Sequence, residues 1–161
     1  MPTIAAETDG DDTAQDPAGG AMSTLEVVAG IVWNPAAEHV LLALRKPGQH
    51  QGDRWEFPGG KVEPGETLDA ALVRELGEEL DIVPTAFVPR CTLVHAYPDK
   101  RVRLHFMDVT RFDGTPAGRE GQTLRWAAPS ELGSLTFPEA NRSVVDALIS
   151  ERSSRREDRS R

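Results

Sequence analysis

Residues 58–82 read PGGKVEPGETLDAALVRELGEELDI. Leucines recur at positions 68, 72, 76 and 80, a spacing of four that predicts a helix with one apolar stripe. Thr67 stands where an N-cap belongs, behind the turn residues Glu63-Pro64-Gly65-Glu66. Within this helix Glu75, Glu78 and Glu79 are offset by three and four, which puts all three on one face. Like charges so spaced destabilise an isolated helix by roughly 0.2–0.5 kcal/mol per pair. Two readings account for them: a solvated acidic face with Arg74 nearby, or a carboxylate set for a hard divalent cation such as Mg²⁺. Glu66 is half a turn out of phase with Glu75, so it is placed in the turn before the helix, where the chain can fold it back toward the other carboxylates. Pro58-Gly59-Gly60 lets the backbone approach closely and exposes carbonyls to a ligand.

Outward from this stretch the chain alternates strands and helices. Residues 25–33 (LEVVAGIVW) form a short, β-branched apolar run and predict a buried strand, with residues 40–44 as its hairpin partner. Trp55-Glu56-Phe57 fits a very short strand. Pro84 and Pro89 bracket a connector, and residues 91–97 and 102–109 are strands joined by the turn Pro98-Asp99-Lys100. Residues 111–121 are a glycine-rich loop, and 124–126 are another strand. Residues 138–149 are a second helix, with Val144, Val145 and Leu148 on one face. Strands before and between helices imply an α/β fold, a mixed β-sheet between helices.

Composition bounds the function. Of 161 residues, 39% are apolar and 27% charged, as expected of one globular domain. No apolar run approaches the ~18 residues of a membrane-spanning helix, and no secretory leader pattern opens the chain. Cys91 is the only cysteine, which excludes an internal disulfide framework and a multi-cysteine zinc site, and fits a cytoplasmic setting. A net charge of −8 and a pI near 5.0 disfavour stable binding of nucleic acid. Residues 1–23 hold five acidic and no basic side chains and are expected to be a disordered tail. Residues 24–150 form the folded domain. Residues 151–161 are a charged C-terminal tail, read as a frayed end or solvated extension.

Gly60-x5-Glu66-x7-Arg74-Glu75-Leu76-x-Glu78-Glu79 resembles the Nudix box, the signature of hydrolases acting on nucleoside diphosphates linked to another group. Ile82 fits its last apolar position. Asp81 stands where the box has Gly, a position that ends the helix in a left-handed conformation, which Asp tolerates at modest cost. The likeness extends over about residues 27–148 and is strongest to the MutT family, which hydrolyses 8-oxo-dGTP to the monophosphate and pyrophosphate. Trp55-Glu56-Phe57-Pro58-Gly59-Gly60 is similar to that family's approach to the box. Gly118-Arg119-Glu120-Gly121-Gln122 is similar to its loop carrying a further metal-binding Glu, and Phe137-Pro138-Glu139-Ala140-Asn141 to its base-reading segment. Lys100 stands where that family has Arg.

The resemblance implies a Nudix α/β/α sandwich and a Mg²⁺-dependent reaction, with Mn²⁺ able to substitute. It implies Glu75 and Glu79 as principal metal ligands with the Gly59 carbonyl, helped by Glu78 and Glu120. Arg74 orients Glu75, and an ion pair that stabilises the core is compatible with that role. Glu75, Glu66 and Glu120 are alternative bases for activating water against the β-phosphorus. Arg45, His50, Glu56, Phe57, Pro58, Gly59 and Asn141 fall at nucleotide-binding positions. Asn141 carries an acceptor and a donor together; oxidation at C8 turns guanine N7 into an N–H donor while O6 stays an acceptor, so one Asn matches the oxidised base. An Asn that merely caps the second helix is the plainer reading, as a core position is for Phe57 and an exposed loop position for Glu120. The expected partner is a small nucleotide, with the chain as a monomer. The alternatives are a CTP, dCTP or broad-range nucleoside triphosphate pyrophosphohydrolase, and a non-catalytic nucleotide-binding module on the same fold. All four box carboxylates are present, which argues against the last.

Overall fold

The computed structural model describes residues 23–45 and 53–159. Strand β1 (Thr24–Val32) is central to a four-stranded sheet. It pairs antiparallel with β4 (Gly59–Lys61) and parallel with β6 (Arg101–Asp113), whose outer neighbour is β5 (Val83–Ala96). Both directions occur, so the sheet is mixed. A second, three-stranded sheet orders β3 (Trp55–Glu56), β2 (Val40–Leu44) and β7 (Leu124–Ala127).

The period-two geometry of β1 builds the layers. Val28 and Val32 point to one face and pack with Leu72, Leu76 and Leu80 of helix α1 (Leu68–Leu80). Ala29 and Ile31 point to the other and pack with Val144, Val145 and Leu148 of helix α2 (Arg142–Arg159). This is the α/β/α sandwich. The three α1 leucines are wholly buried, each worth about 1.5–3 kcal/mol of apolar burial. Gly30 lies under α1; a Cβ there would meet Leu76 Cδ1 at 3.2 Å, so the missing side chain lets the helix sit close to the sheet.

The α1 ends form as the residues predict. Thr67 Oγ1 accepts from Ala70 N at 3.1 Å. Asp81 takes the left-handed conformation (φ 61°, ψ 37°), and its N–H donates back to Gly77 O.

Four local expectations change. β1 and β2 touch through the single bridge Trp33↔Val40 and then diverge into different sheets, so they are not a full hairpin. Pro84 and Pro89 lie inside β5, which starts at Val83. Proline lacks the N–H of a ladder, and β5 tolerates it as an edge strand with register shifts beside both residues. β6 runs on to Asp113, shortening the glycine-rich loop. The second helix starts with a 3-10 turn, Glu139–Asn141, and continues to Arg159 through the segment read as a tail. Arg90 braces it: its guanidinium donates to both Glu151 oxygens at 2.8 and 3.1 Å and to Asp108 Oδ2 at 2.9 Å.

No helix among the described residues is long and apolar enough to cross a membrane.

Candidate active site

Arg74 organises the acidic face of α1. It grips Glu66 with two bonds, Nε to Oε2 at 2.7 Å and Nη2 to Oε1 at 2.9 Å. Nη2 also donates to Lys61 O at 2.9 Å, tying the helix to β4. Nη1 reaches Glu75 Oε2 at 3.0 Å and Glu78 Oε1 at 3.3 Å. Arg74 is therefore both a structural ion-pair partner and the group that fixes the direction of Glu75. Glu66 does fold back from the turn. Both of its oxygens are engaged, Oε1 also accepting Glu63 N at 2.9 Å. The Arg74 guanidinium, followed by that backbone N–H, holds its carboxyl down at about 2.

The other carboxylates behave in the opposite way. Burial, then repulsion from Glu56, Glu120 and Glu75, pushes Glu79 up to about 8 despite a hydrogen bond from the Gly59 backbone. Burial raises Glu75, with Arg74 opposing and Glu78 and Glu120 adding to the rise. Burial also raises Glu56, although Arg45 Nη1 donates to its Oε1 at 2.8 Å. Four acidic groups from three segments thus share one electrostatic neighbourhood. Glu78 stays at the rim, its side chain 59% exposed.

Glycines make the approach possible. A Cβ on Gly59 would fall 1.9 Å from Val28 O, so only glycine can pair with β1 there. A Cβ on Gly60 would collide with the Glu75 carboxylate. Glu120 arrives on the loop between β6 and β7. Ala117 N donates to Leu80 O at 2.9 Å and Arg119 N to Glu79 O at 3.1 Å, fastening that loop to the last turn of α1.

The donor set is all oxygen and crowded with negative charge, which fits a hard divalent cation. Among the described residues no three His, Cys, Asp or Glu side chains close around a point at metal-ligand geometry. A cation here would complete its shell with water, substrate oxygens and small carboxylate rotations, as Mg²⁺ commonly does.

Beside this face lies a cleft of about 230 Å³ on the α2 side of the sheet. Gly59 and Gly60 belong to both regions. The cleft is walled by Leu25, Val27, Leu104 and Phe106, with Arg45, Glu56, Tyr97, Lys100 and Asn141 around it. Asn141 is the one buried polar residue among those described, 8% exposed, and it lines the cleft. Phe57 is 4% exposed, stacked on Phe137 at 5.7 Å and edge-on to Phe106 at 6.2 Å. It is a core residue whose edge reaches the cleft. Pro58 is buried and its carbonyl accepts Gly30 N at 2.8 Å, which holds the Gly59-Gly60 segment against β1. His50 lies outside the described residues.

Sequence reasoning missed the cleft walls. Their signal is residues 25, 27 and 102, 104, 106, alternating on two strands, but it becomes visible only with the register Leu25↔Val102. It also missed Glu56 as a member of the acidic group.

The NUDIX domain family matches residues 28–147. The chain is 39% identical over 127 residues to the 8-oxo-dGTP diphosphatase of Escherichia coli K12, covering 79% of this chain and 98% of that one. It is 36% identical over 134 residues to the CTP pyrophosphohydrolase of the same organism, covering 83% and 98%. A solved MutT structure from work on Aliivibrio salmonicida and Vibrio cholerae superposes with a TM-score of 0.72 at 40% identity, over 80% of this chain and 99% of that one. The chain belongs to the Nudix family. Within that family its likeness is to the MutT hydrolases in both sequence and fold.

Proposed function

We propose that this chain is a nucleoside triphosphate pyrophosphohydrolase acting with Mg²⁺ on 8-oxo-dGTP and related oxidised purine nucleotides, releasing the monophosphate and pyrophosphate. The observation that carries the reading is Asn141, the one buried polar side chain among the described residues, lining a cleft whose floor leads by Gly59 and Gly60 to the acidic face. A buried amide facing a base that lacks the matching donor or acceptor costs about 1–3 kcal/mol. A base offering N7–H and O6 satisfies it at both ends.

The cleft is smaller than the about 300–1,000 Å³ of a drug-sized ligand pocket. It suits the base, with the phosphates lying outside along Gly59 and Gly60 toward Glu75 and Glu79. Phe57 contributes an apolar floor. Arg45 and Lys100 supply positive charge to an otherwise acidic surround. A bound divalent cation would neutralise phosphate charge and polarise phosphoryl oxygens. Glu75, Glu79 and Glu120 would hold it, with the Gly59 carbonyl, and Glu78 through water. Glu66 is a poor base, because Arg74 keeps it ionised and both oxygens occupied. Its role is to hold Arg74, which in turn aims Glu75. Glu120 or Glu75 remains to take the proton of the attacking water.

The CTP pyrophosphohydrolase likeness supports a second reading, a pyrimidine nucleotide as substrate. Pyrophosphate release with Mg²⁺ across 8-oxo-dGTP, dGTP, CTP and dCTP decides between them. Highest kcat/KM on the oxidised purine is expected. Highest kcat/KM on CTP or dCTP overturns the purine assignment, and no release from any of them overturns the enzyme class.

A further inference from the structure

Glu120 lies beside the acidic face, close enough to act on Glu56, Glu75 and Glu79. Its carboxylate raises the proton affinity of all three. Backbone bonds from Ala117 and Arg119 fasten the loop on the near side of Glu120, and Gln122 fastens it on the far side. Its amide oxygen accepts the Glu120 backbone N–H at 2.9 Å. Its amide nitrogen donates to Glu79 O at 3.3 Å. One neutral side chain thus spans from the last turn of the acidic helix to the backbone of Glu120.

The surrounding loop is shaped for this strut. Gly121 N donates to Gly118 O at 3.0 Å and Gly121 has φ 81°, closing a tight turn around Glu120. A Cβ on Gly118 would fall 2.2 Å from Gln122 O. The strut shares Glu79 O, a carbonyl in the last turn of α1, with the Arg119 N–H. A charged replacement cannot do the same work: a carboxylate at 122 keeps the acceptor but loses the donor, and adds another negative charge.

We propose that Gln122 is a positioning residue, whose amide holds Glu120 against the acidic helix in the geometry that binds the divalent cation. This rests on the reading of Glu120 as a cation-binding carboxylate given above.

The test uses the full chain with Gln122→Ala, the isosteric Gln122→Glu, Glu120→Gln, and Gln122→Ala combined with Glu120→Gln. Mn²⁺ affinity is measured by electron paramagnetic resonance without nucleotide, and kcat and KM separately on the preferred nucleotide. Glu120→Gln is expected to weaken Mn²⁺ binding and lower kcat about tenfold or more. Gln122→Ala and Gln122→Glu are each expected to weaken Mn²⁺ binding three- to tenfold and to lower kcat in proportion, with KM changed less than twofold. The combined variant should lose no more than Glu120→Gln alone, because the strut acts only through that carboxylate. A merely structural Gln122 would instead lower the metal-free melting temperature and add its loss to that of Glu120→Gln. If Glu120→Gln leaves Mn²⁺ binding unchanged, the role of Glu120 fails. If Glu120→Gln weakens binding while both Gln122 variants bind Mn²⁺ like the unaltered chain, or if the losses add, the positioning role fails.

Discussion

Gly60 has no side chain because Glu75 fills the space: a Cβ there would fall 2.3 Å from the Glu75 carboxyl carbon. The two residues belong to β4 and α1, so the gap between strand and helix is set by a carboxylate. Gly60→Ala should push Glu75 off its Arg74 contact. We expect at least tenfold lower kcat with a native circular-dichroism spectrum, since a carboxylate is easier to move than backbone. Activity equal to the unaltered chain would show that Glu75 need not stand there.

Glu75→Gln keeps volume and hydrogen bonding and removes the charge. Hydrolysis should fall by about a hundredfold or more, the range for losing a positioned acid–base or metal-binding group. Stability should hold, since a like charge leaves the neighbourhood of Glu78 and Glu120. Steady-state turnover at saturating Mg²⁺ and a thermal melt check both parts.

Asn141→Ala should lower kcat/KM for 8-oxo-dGTP more than for dGTP, by roughly ten- to a hundredfold, the worth of about 1–3 kcal/mol of hydrogen bonding. Mn²⁺ affinity should not change, because the 3-10 turn carrying Asn141 is remote from α1 in the layer order. The ratio of the two kcat/KM values, before and after substitution, is the measurement; an unchanged ratio removes Asn141 from base reading.

The buried carboxyl of Glu79 predicts a pH effect on the metal-free protein. Its folded value of about 8 exceeds its ordinary value of 4.5. Between those values the native state binds more protons than the unfolded chain, so stability declines as pH rises through that window. Glu56 and Glu75 are raised too and act in the same direction. Glu66, held down at about 2, loses its contribution only at acid pH, below this window. Melting temperature in chelator should fall from pH 5 to pH 8, and Glu79→Gln should flatten the slope. A melting temperature that rises across that range contradicts the crowding of these carboxylates.

What the sequence makes legible follows from the range of each force. The α1 stripe, its Thr67 cap and its Asp81 end depend on residues three or four apart, and the spacing states them directly. The folding back of Glu66 is legible from its place in the turn, but its grip by Arg74 is not, because that pair closes only when the turn brings residues eight apart together. Nor is the cleft. Its walls come from β1 and β6, whose register no local pattern encodes. Nothing local marks Gln122, because its role depends on Glu79 O and Glu120 N standing on either side of its amide. The prolines misled for a related reason, since whether a strand is an edge is a property of the whole sheet.

The parallel pairing of Thr24 with Arg101 has a consequence for biogenesis. β1 leaves the ribosome 77 residues before that partner (101 minus 24), or about 4–15 s at ordinary synthesis rates of ~5–20 residues per second. During that interval β4 and α1 can cover one edge and one face of β1, but its other edge waits for β6 and its apolar residues Ala29 and Ile31 wait longer still, for α2. Chaperone demand should therefore peak after α1 has emerged, fall once the β5–β6 hairpin docks, and end only when α2 covers Ala29 and Ile31; the hairpin docking is the step at which a nascent chain commits to the native sheet.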